Sequence, residues 1–486
     1  MIQLIGYAPD SNPTAPGVIT DCVCYVPSVR GMKSAPSAVT GGLSAALAAA
    51  CIGAAALRKL DASTRFFAGT TTKLYEAAAS SWTDRTRAVG GDYTGGSDTR
   101  WRFAQFGDVS LATNKTDTMQ YSSAGAFANI AGGIKAAIVE TVGDYIIACN
   151  TNEGTYGDSA NRWWVTPDYA NWTPAIADRI ATGILTSSAG PITACRRFGD
   201  GAVIYKDRSM YIGAFTGPPT IFDVKEIPGQ IGTPCQEAVV VIGTQSDPRH
   251  IFIGFEDFYL FDGSRPTPIG GPVRETFFND LNRSYAYRCI ANHDRFNACV
   301  YFHYPSNSGG GAIDKCIVYN YKTDRWGRDD RTIEAAVEYV QAGYTYDDYG
   351  TLFSTYDTNV PLSYDSAFWT ASTPILAIFN SSHVLQTLTG ASGTCSITLG
   401  DVGDETQYSL VRRVQPRFLT KPTSAVLTNY YRTELGDTLT TDTTTTLANG
   451  RFDVLREARW HRMKVETTGT AEMSDIRIDL VEAGQE

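Results

Sequence analysis

A short motif recurs through the middle of the sequence, and it limits the possible folds more than any other feature. A Gly-Asp pair follows an apolar residue and leads into a new stretch in Phe106-Gly107-Asp108-Val109, Val142-Gly143-Asp144-Tyr145 and Phe198-Gly199-Asp200-Gly201. Gly and Asp in tandem favour tight turns between strands. Phe255-Glu256-Asp257-Phe258 and Asp294-Arg295-Phe296-Asn297 fall where further copies would start. The spacings bracket the roughly 40–50 residues of a four-stranded propeller blade. Aromatic landmarks follow several of these turns, at Trp172, at Tyr259 and Phe261, and at Tyr319 and Trp326. An inner strand, a turn and then an outer strand bearing an aromatic is how a blade reads. At least four blades are expected, with loops of unequal length.

Between the turns lie short apolar runs at residues 144–149, 202–205, 238–242, 250–253, 297–302 and 316–319, bounded by Gly, Asp, Asn or Pro. Helical periodicity is scarce. The aromatic share of 11% and the charged share of 19% suit an ordered, strand-rich chain. After about residue 390 the texture changes. Thr-rich turns at 439–447 separate longer strands at 409–418, 425–431, 458–466 and 475–480. In the last of these, Ile476, Ile478 and Leu480 share one side while Asp475, Arg477 and Asp479 share the other, as in a sheet buried on one face. The fold class is therefore all-β: an irregular β-propeller with an additional β-sandwich-like platform domain. The chain divides into an N-terminal arm and small-residue segment joining the platform (1–60), the propeller (61–389) and the C-terminal β platform (390–486).

Residues 1–17 lack the basic start and apolar core of an export signal. Residues 41–57 carry no charge, but Ala and Gly dominate them and they fall short of the roughly 20 strongly apolar residues of a membrane span. They read as a buried segment packed by small residues. Residues 10–36, rich in Pro, Gly and small side chains, read as an extended arm lying on the platform or on neighbouring subunits. The ten Cys are scattered without a C-x-x-C pair, which suits reduced, mostly buried thiols and folding in a cytoplasm. A net charge of −10 argues against gripping nucleic acid through its phosphates, and it permits letting nucleic acid slide past.

Few constellations carry chemistry. Cys289, His293, Cys299 and His303 are spaced C-x3-H-x5-C-x3-H, but zinc hairpins use a C-x-x-C knuckle, so a hairpin with Cys299, Tyr301 and His303 on one face is the preferred reading. The acidic pairs Glu256-Asp257, Asp329-Asp330 and Asp347-Asp348 read as solvated turns rather than glycosidase carboxylates. No G-x-S-x-G elbow, P-loop or calcium loop occurs. No catalytic, cofactor-binding or metal-binding residue is expected, and the chain reads as a non-enzyme. Residues 401–486 hold 11 Lys or Arg against 14 Asp or Glu, so the platform is not a basic DNA-binding surface. Arg412, Arg413, Arg459 and Arg462 are its candidate protein–protein contacts.

The opening residues Asp10 to Asp21, Arg30 to Pro36, Arg162-Trp163-Trp164-Val165-Thr166 with Asn171 to Pro174, Phe255 to Gly263 with Pro268 to Gly270, and Cys316 to Trp326 together resemble the tail nozzle or hub proteins of short-tailed bacteriophages. Arg459 to Val481 is similar to the closing strands of their packaged-DNA stabilisation proteins. The resemblance spans most of the chain in order, through diffuse motifs. It implies a propeller joined to a platform, assembled as a hexameric ring below the portal and its adaptor ring, in a virion tail built in the host cytoplasm. Partners would be further copies of the chain, the adaptor ring, tail fibres or a needle, passing duplex DNA without sequence-specific binding, and the host envelope only transiently. No cofactor or catalytic residue transfers. For such a channel the negative charge implies an acidic wall, with Glu256, Asp257, Asp347 and Asp348 as candidates.

A second reading comes from a different class. Val165-Thr166-Pro167-Asp168-Tyr169-Ala170-Asn171-Trp172 resembles the Asp-box of sialidase-type propellers, with the Gly missing and the Trp one residue early. It implies a glycan-binding or sialidase-like tail propeller, which would need an arginine cluster with a Tyr–Glu pair.

Overall fold

The Gly-Asp motifs build the hairpins of a β-propeller. In the computed structural model, which describes residues 2–339 and 374–485, Phe106 faces Val109, Val142 faces Tyr145 and Phe198 faces Gly201 across two-residue loops. Gly107, Gly143 and Gly199 take φ of +56°, +55° and +59°, a region that a side chain would strain. Each loop joins the first and second strands of a blade. Asp294 and Cys299 flank the equivalent turn two blades further on. Phe255 to Phe258 does not start a blade: it links the second strand, Pro248–Ile253, to the third, Phe258–Phe261.

Among the described residues seven blades form, six as separate four-stranded sheets and one as the leading four strands of a ten-stranded sheet. Their inner strands are Gly53–Arg58, Arg102–Phe106, Lys135–Val142, Ile192–Phe198, Val239–Gly243, Ile290–Asp294 and Ala335–Tyr339. Each packs on the next, and the seventh packs on the first, so the ring is closed. The closure is shared between chain ends. The outer strand of the seventh blade is Ser37–Thr40, paired with Leu385–Gly390. The propeller thus reaches back before residue 61 into the segment expected to join the platform. Residues 41–52 link these blades with Leu43, Leu47 and Cys51 buried and Ala46, Ala48 and Ala50 exposed, so this stretch is half-buried rather than buried.

The apolar runs follow from the architecture. Every blade is covered on both faces, so consecutive residues are buried in opposite directions. Ile146 and Ala148 pack toward the second blade, and Ile147 and Cys149 toward the fourth. Ala202 and Ile204 likewise pack toward the third blade, Val203 and Tyr205 toward the fifth. Full burial of such a side chain contributes roughly 1.5–3 kcal/mol, and the pattern repeats at every interface.

The platform is a two-sheet sandwich. One sheet contains Tyr25–Pro27, Met32–Ser34, Glu472–Gln485, Gln407–Thr420 and Phe452–Ala458, with Ile2–Gln3 at its side. The other contains Gly6–Tyr7, Val18–Val23, Thr394–Gly403, Trp460–Thr468, Ser424–Arg432 and Thr440–Thr446. Val411, Val414 and Ile476 from the first meet Ile397, Leu427 and Val465 from the second. Ile476 is fully buried, Ile478 half-buried and Leu480 exposed, so the expected alternation fades along the last strand. The Thr-rich segment is an edge strand rather than a turn, because β-branched Thr favours extended backbone.

The N-terminal residues form five platform strands instead of an extended arm. Leu4, Tyr7, Ile19, Tyr25 and Met32 are buried in this core, and the Asp10 carboxylate accepts the backbone N–H groups of Glu275 at 2.6 Å and Thr276 at 3.0 Å, at the start of the short helix Arg274–Asp280.

Candidate functional site

Where chain segments enter the inner strands, six of the seven blades contribute to one pocket of about 130 Å³. Its walls come from residues 52–55, 100–103, 236–237, 287–290 and 334–336, with Arg196. Such distant blades meet only at the propeller axis. Four arginines line the pocket, Arg100, Arg102, Arg196 and Arg288, against two acids, Glu237 and Glu334.

Three of the arginines have fixed partners. Arg102 donates to both Glu237 carboxylate oxygens, at 2.8 and 3.1 Å, and to the Ala137 carbonyl at 2.7 Å. Burial works to raise the Glu237 pKa, and the Arg102 guanidinium outweighs it and holds the carboxyl below its ordinary range. Arg196 donates to the Gln236 carbonyl at 3.0 Å and lies 3.6 Å from Glu140. Arg288 donates to Asp98 at 2.8 Å and to the Gly311 carbonyl at 2.6 Å, and the Tyr287 hydroxyl donates to the same Asp98 oxygen. Arg100 is different. It donates to the Ser97 and Thr99 carbonyls at 3.0 and 2.8 Å, and no ion pair within 4.0 Å joins it to a carboxylate among the described residues. Burial, and then the charge of Arg288, push the Arg100 pKa down. Glu334 is occupied, accepting from His383 Nδ1 at 2.6 Å and from the Cys51 N–H at 3.0 Å.

These residues escaped the sequence reading because they are scattered over more than two hundred positions. Their shared signal is positional. Arg100, Glu237, Arg288 and Glu334 each fall within two residues of an inner strand's start, a place that a blade repeat defines once its register is known.

The platform cations do not form one surface. Arg462 is bidentate to Asp401 at 3.0 and 2.7 Å, and Arg432 donates to the same carboxylate at 2.7 Å. Asp401 is buried, so Arg462 serves this internal triad. Arg413 pairs with Asp453 at 3.2 Å, Arg459 lies 5.1 Å over the Tyr408 ring, and Arg412 is exposed. Of the acids, Glu256 is exposed, whereas Asp257 is buried and its Oδ1 accepts the N–H groups of Phe258 at 2.7 Å and Gly270 at 3.0 Å. Both sit on the turn between the second and third strands of the fifth blade. Asp347 and Asp348 lie outside the described residues.

The Cys/His set is divided by the sheet. Cys289 packs into the core with Val300 and Phe302, while Cys299 packs on the opposite face with Tyr301 and Cys316. The Asp-box-like segment follows the third strand of the third blade, Gly157–Thr166. There Thr166 Oγ1 donates within the turn, Asp168 Oδ1 accepts the Ala170 N–H at 2.9 Å, and Trp172 packs 6.5 Å from Trp164. It staples a turn.

No family model matches the chain, and no curated protein matches it. Solved structures similar to it include YCF48 bound to a D1 peptide, at 12% identity and TM-score 0.38, covering 74% of this chain and 97% of that one. Human WBSCR16 matches at 9% identity and TM-score 0.35 over 60% of this chain and 85% of its own, and AztD from Citrobacter koseri at 11% and 0.34 over 57% and 74%.

Proposed function

We propose that the chain is a structural, non-enzymatic subunit of a bacteriophage tail nozzle, forming a ring that seals and conducts the genome below the portal and adaptor. The resemblance in the sequence supplies the word nozzle. The structural observation that supports it best is the continuity of the propeller with the platform: the outer strand of the sixth blade, Arg325–Arg328, pairs with Tyr25–Pro27, and one ten-stranded sheet crosses both. A ring subunit that must hold against pressurised DNA needs such a junction, since sliding one domain on the other would break backbone hydrogen bonds and a shared core. In this reading the neighbours are further copies of the chain, as a hexamer, and the adaptor ring, with the exposed Arg412 and the partly buried Arg413 as contacts.

The glycan reading has less support. The axial arginines do lie beside Tyr287, but its partner is Asp98 rather than Glu, and three of the four arginines already hold carboxylates. A cavity of about 130 Å³ is also well below the roughly 300–1,000 Å³ of pockets that enclose larger organic ligands.

Phage particles assembled without this chain test the proposal. They are expected to package DNA and then to lose it or fail to deliver it. Normal retention and delivery would exclude a sealing role.

A further inference from the structure

We infer that the axial pocket is an oxyanion-binding site, taking one carboxylate or phosphate group with Arg100 as its principal charge. The argument is independent of the nozzle reading. Four arginines line the pocket, and three of them are paired with carboxylates, Arg102 with Glu237, Arg196 with Glu140 and Arg288 with Asp98. Arg102 is neutralised by Glu237, and Glu334 is held by His383 and the Cys51 N–H. That leaves Arg100 without a carboxylate of its own, sharing the Tyr287 ring with Arg288: the ring centroid lies 5.9 Å from the Arg100 Cζ and 5.6 Å from the Arg288 Cζ.

Donors remain open as well. Among the described residues, Arg196 Nε and Arg288 Nε are buried without a hydrogen-bond partner. Leaving buried donors of charged groups unpaired is costly, and an oxyanion would accept from them while neutralising Arg100. Planar guanidinium groups suit that role, because each presents paired N–H donors to the oxygens of a carboxylate or phosphate. The volume, about 130 Å³, fits a group of a few heavy atoms and excludes a whole sugar or nucleotide. The occupant is therefore either a free small anion or the carboxylate tip of a peptide inserted along the axis.

Isothermal titration of the full-length chain tests this, using inorganic phosphate, acetate, and a short flexible peptide with either a free or an amidated C-terminus. Saturable binding of at least one anionic probe is expected, weakened at least tenfold by Arg100→Gln and retained within about fivefold by Arg249→Gln, an exposed control. A preference for the free-acid peptide over acetate and phosphate identifies an inserted chain end. Comparable or tighter binding of the free anions identifies a small-anion site. Circular dichroism of Arg100→Gln secures the comparison, and if that variant misfolds, Arg100→Lys, which keeps charge but loses the fork, is expected to bind more weakly than wild type. No saturable binding of any anionic probe, or binding unchanged in the folded Arg100 variants, would overturn the inference.

Discussion

Arg328 of the sixth blade pairs in register with Tyr25 of the N-terminal segment, and through this pair the propeller and the platform share one sheet. The Tyr25 side chain is fully buried in the common core, and its hydroxyl is 2.7 Å from Thr467 Oγ1 on the opposite platform sheet. Replacing Tyr25 with Ala is expected to cost about 3–5 kcal/mol, the range for emptying a buried aromatic site, whereas Tyr25→Phe, which loses one hydrogen bond, costs about 1 kcal/mol. Urea denaturation followed by tryptophan fluorescence checks the contrast. Equal, small effects would mean that the junction is not part of the cooperative core.

Asp401 separates structural from surface cations on the platform. Its removal in Asp401→Ala strands Arg432 and Arg462 and is expected to destabilise the platform by about 3–5 kcal/mol, as for a broken buried pair. Arg412→Ala, at an exposed position, is expected to stay within about 0.5 kcal/mol and to act, if at all, on assembly. Thermal melts of the isolated chain distinguish the two.

On the fifth-blade turn the two acids part company. Asp257→Ala leaves the N–H groups of Phe258 and Gly270 without their acceptor and is expected to cost about 1–3 kcal/mol. Glu256→Lys is expected to leave stability unchanged, so Glu256 is where the acidic-wall hypothesis can be tested without unfolding the blade. If Glu256 lines a DNA channel, the added Lys slows genome ejection, most visibly at low salt, since screening acts over only about 8 Å at physiological ionic strength. Ejection rates indifferent to that Lys would remove Glu256 from the wall.

Acid sensitivity follows from buried histidines. His250 is fully buried between two blades, where the Tyr205 hydroxyl donates to Nδ1 at 2.7 Å and Nε2–H donates to the Arg197 carbonyl at 2.8 Å, an arrangement that suits the neutral ring. Burial lowers its pKa to about 4, that of His293 to about 4 and that of His303 to about 3. The unfolded chain, with its histidines near 6.5, binds more protons below that pH, so stability is full above 6.5 and falls as pH drops toward 4. Each pKa unit is worth about 1.36 kcal/mol, which puts the His250 contribution at about 3 kcal/mol. Melting temperatures are expected to decline from pH 6.5 to pH 4, and less so in a folded His250→Gln variant. A flat profile would contradict the neutral assignment.

Much of this architecture was legible before the structure. The Gly-Asp turns at Gly107, Gly143 and Gly199 announced hairpins, because a two-residue loop needs residues tolerant of positive φ. Runs such as residues 144–149 announced strands buried on both faces. What stayed hidden depends on contacts between distant parts of the chain. Ser37–Thr40 completes a blade whose other strands lie some three hundred residues later, and its mixed composition carries no sign of that partner. The Pro- and Gly-rich start looked like an arm because its strands are two to six residues long, too short for a period to emerge. Deleting residues 1–36 would strip Leu4, Ile19, Tyr25 and Met32 from a core shared with Phe258 and Trp326 of the fifth and sixth blades, and an insoluble product is the expected outcome. The basic residues around Arg412 and Arg459 suggested one contact surface, but whether an arginine is free depends on acids such as Asp401 that lie far away in sequence. The axial arginines were invisible for the same reason.

Electron microscopy of the purified chain, alone and bound to virion tails, tests the central claim most directly. The nozzle reading predicts a closed ring of several copies, seen in isolation or on the tail, and centred on the tail axis. Single propellers attached only at the tail periphery, with no density from this chain on the axis, would contradict it.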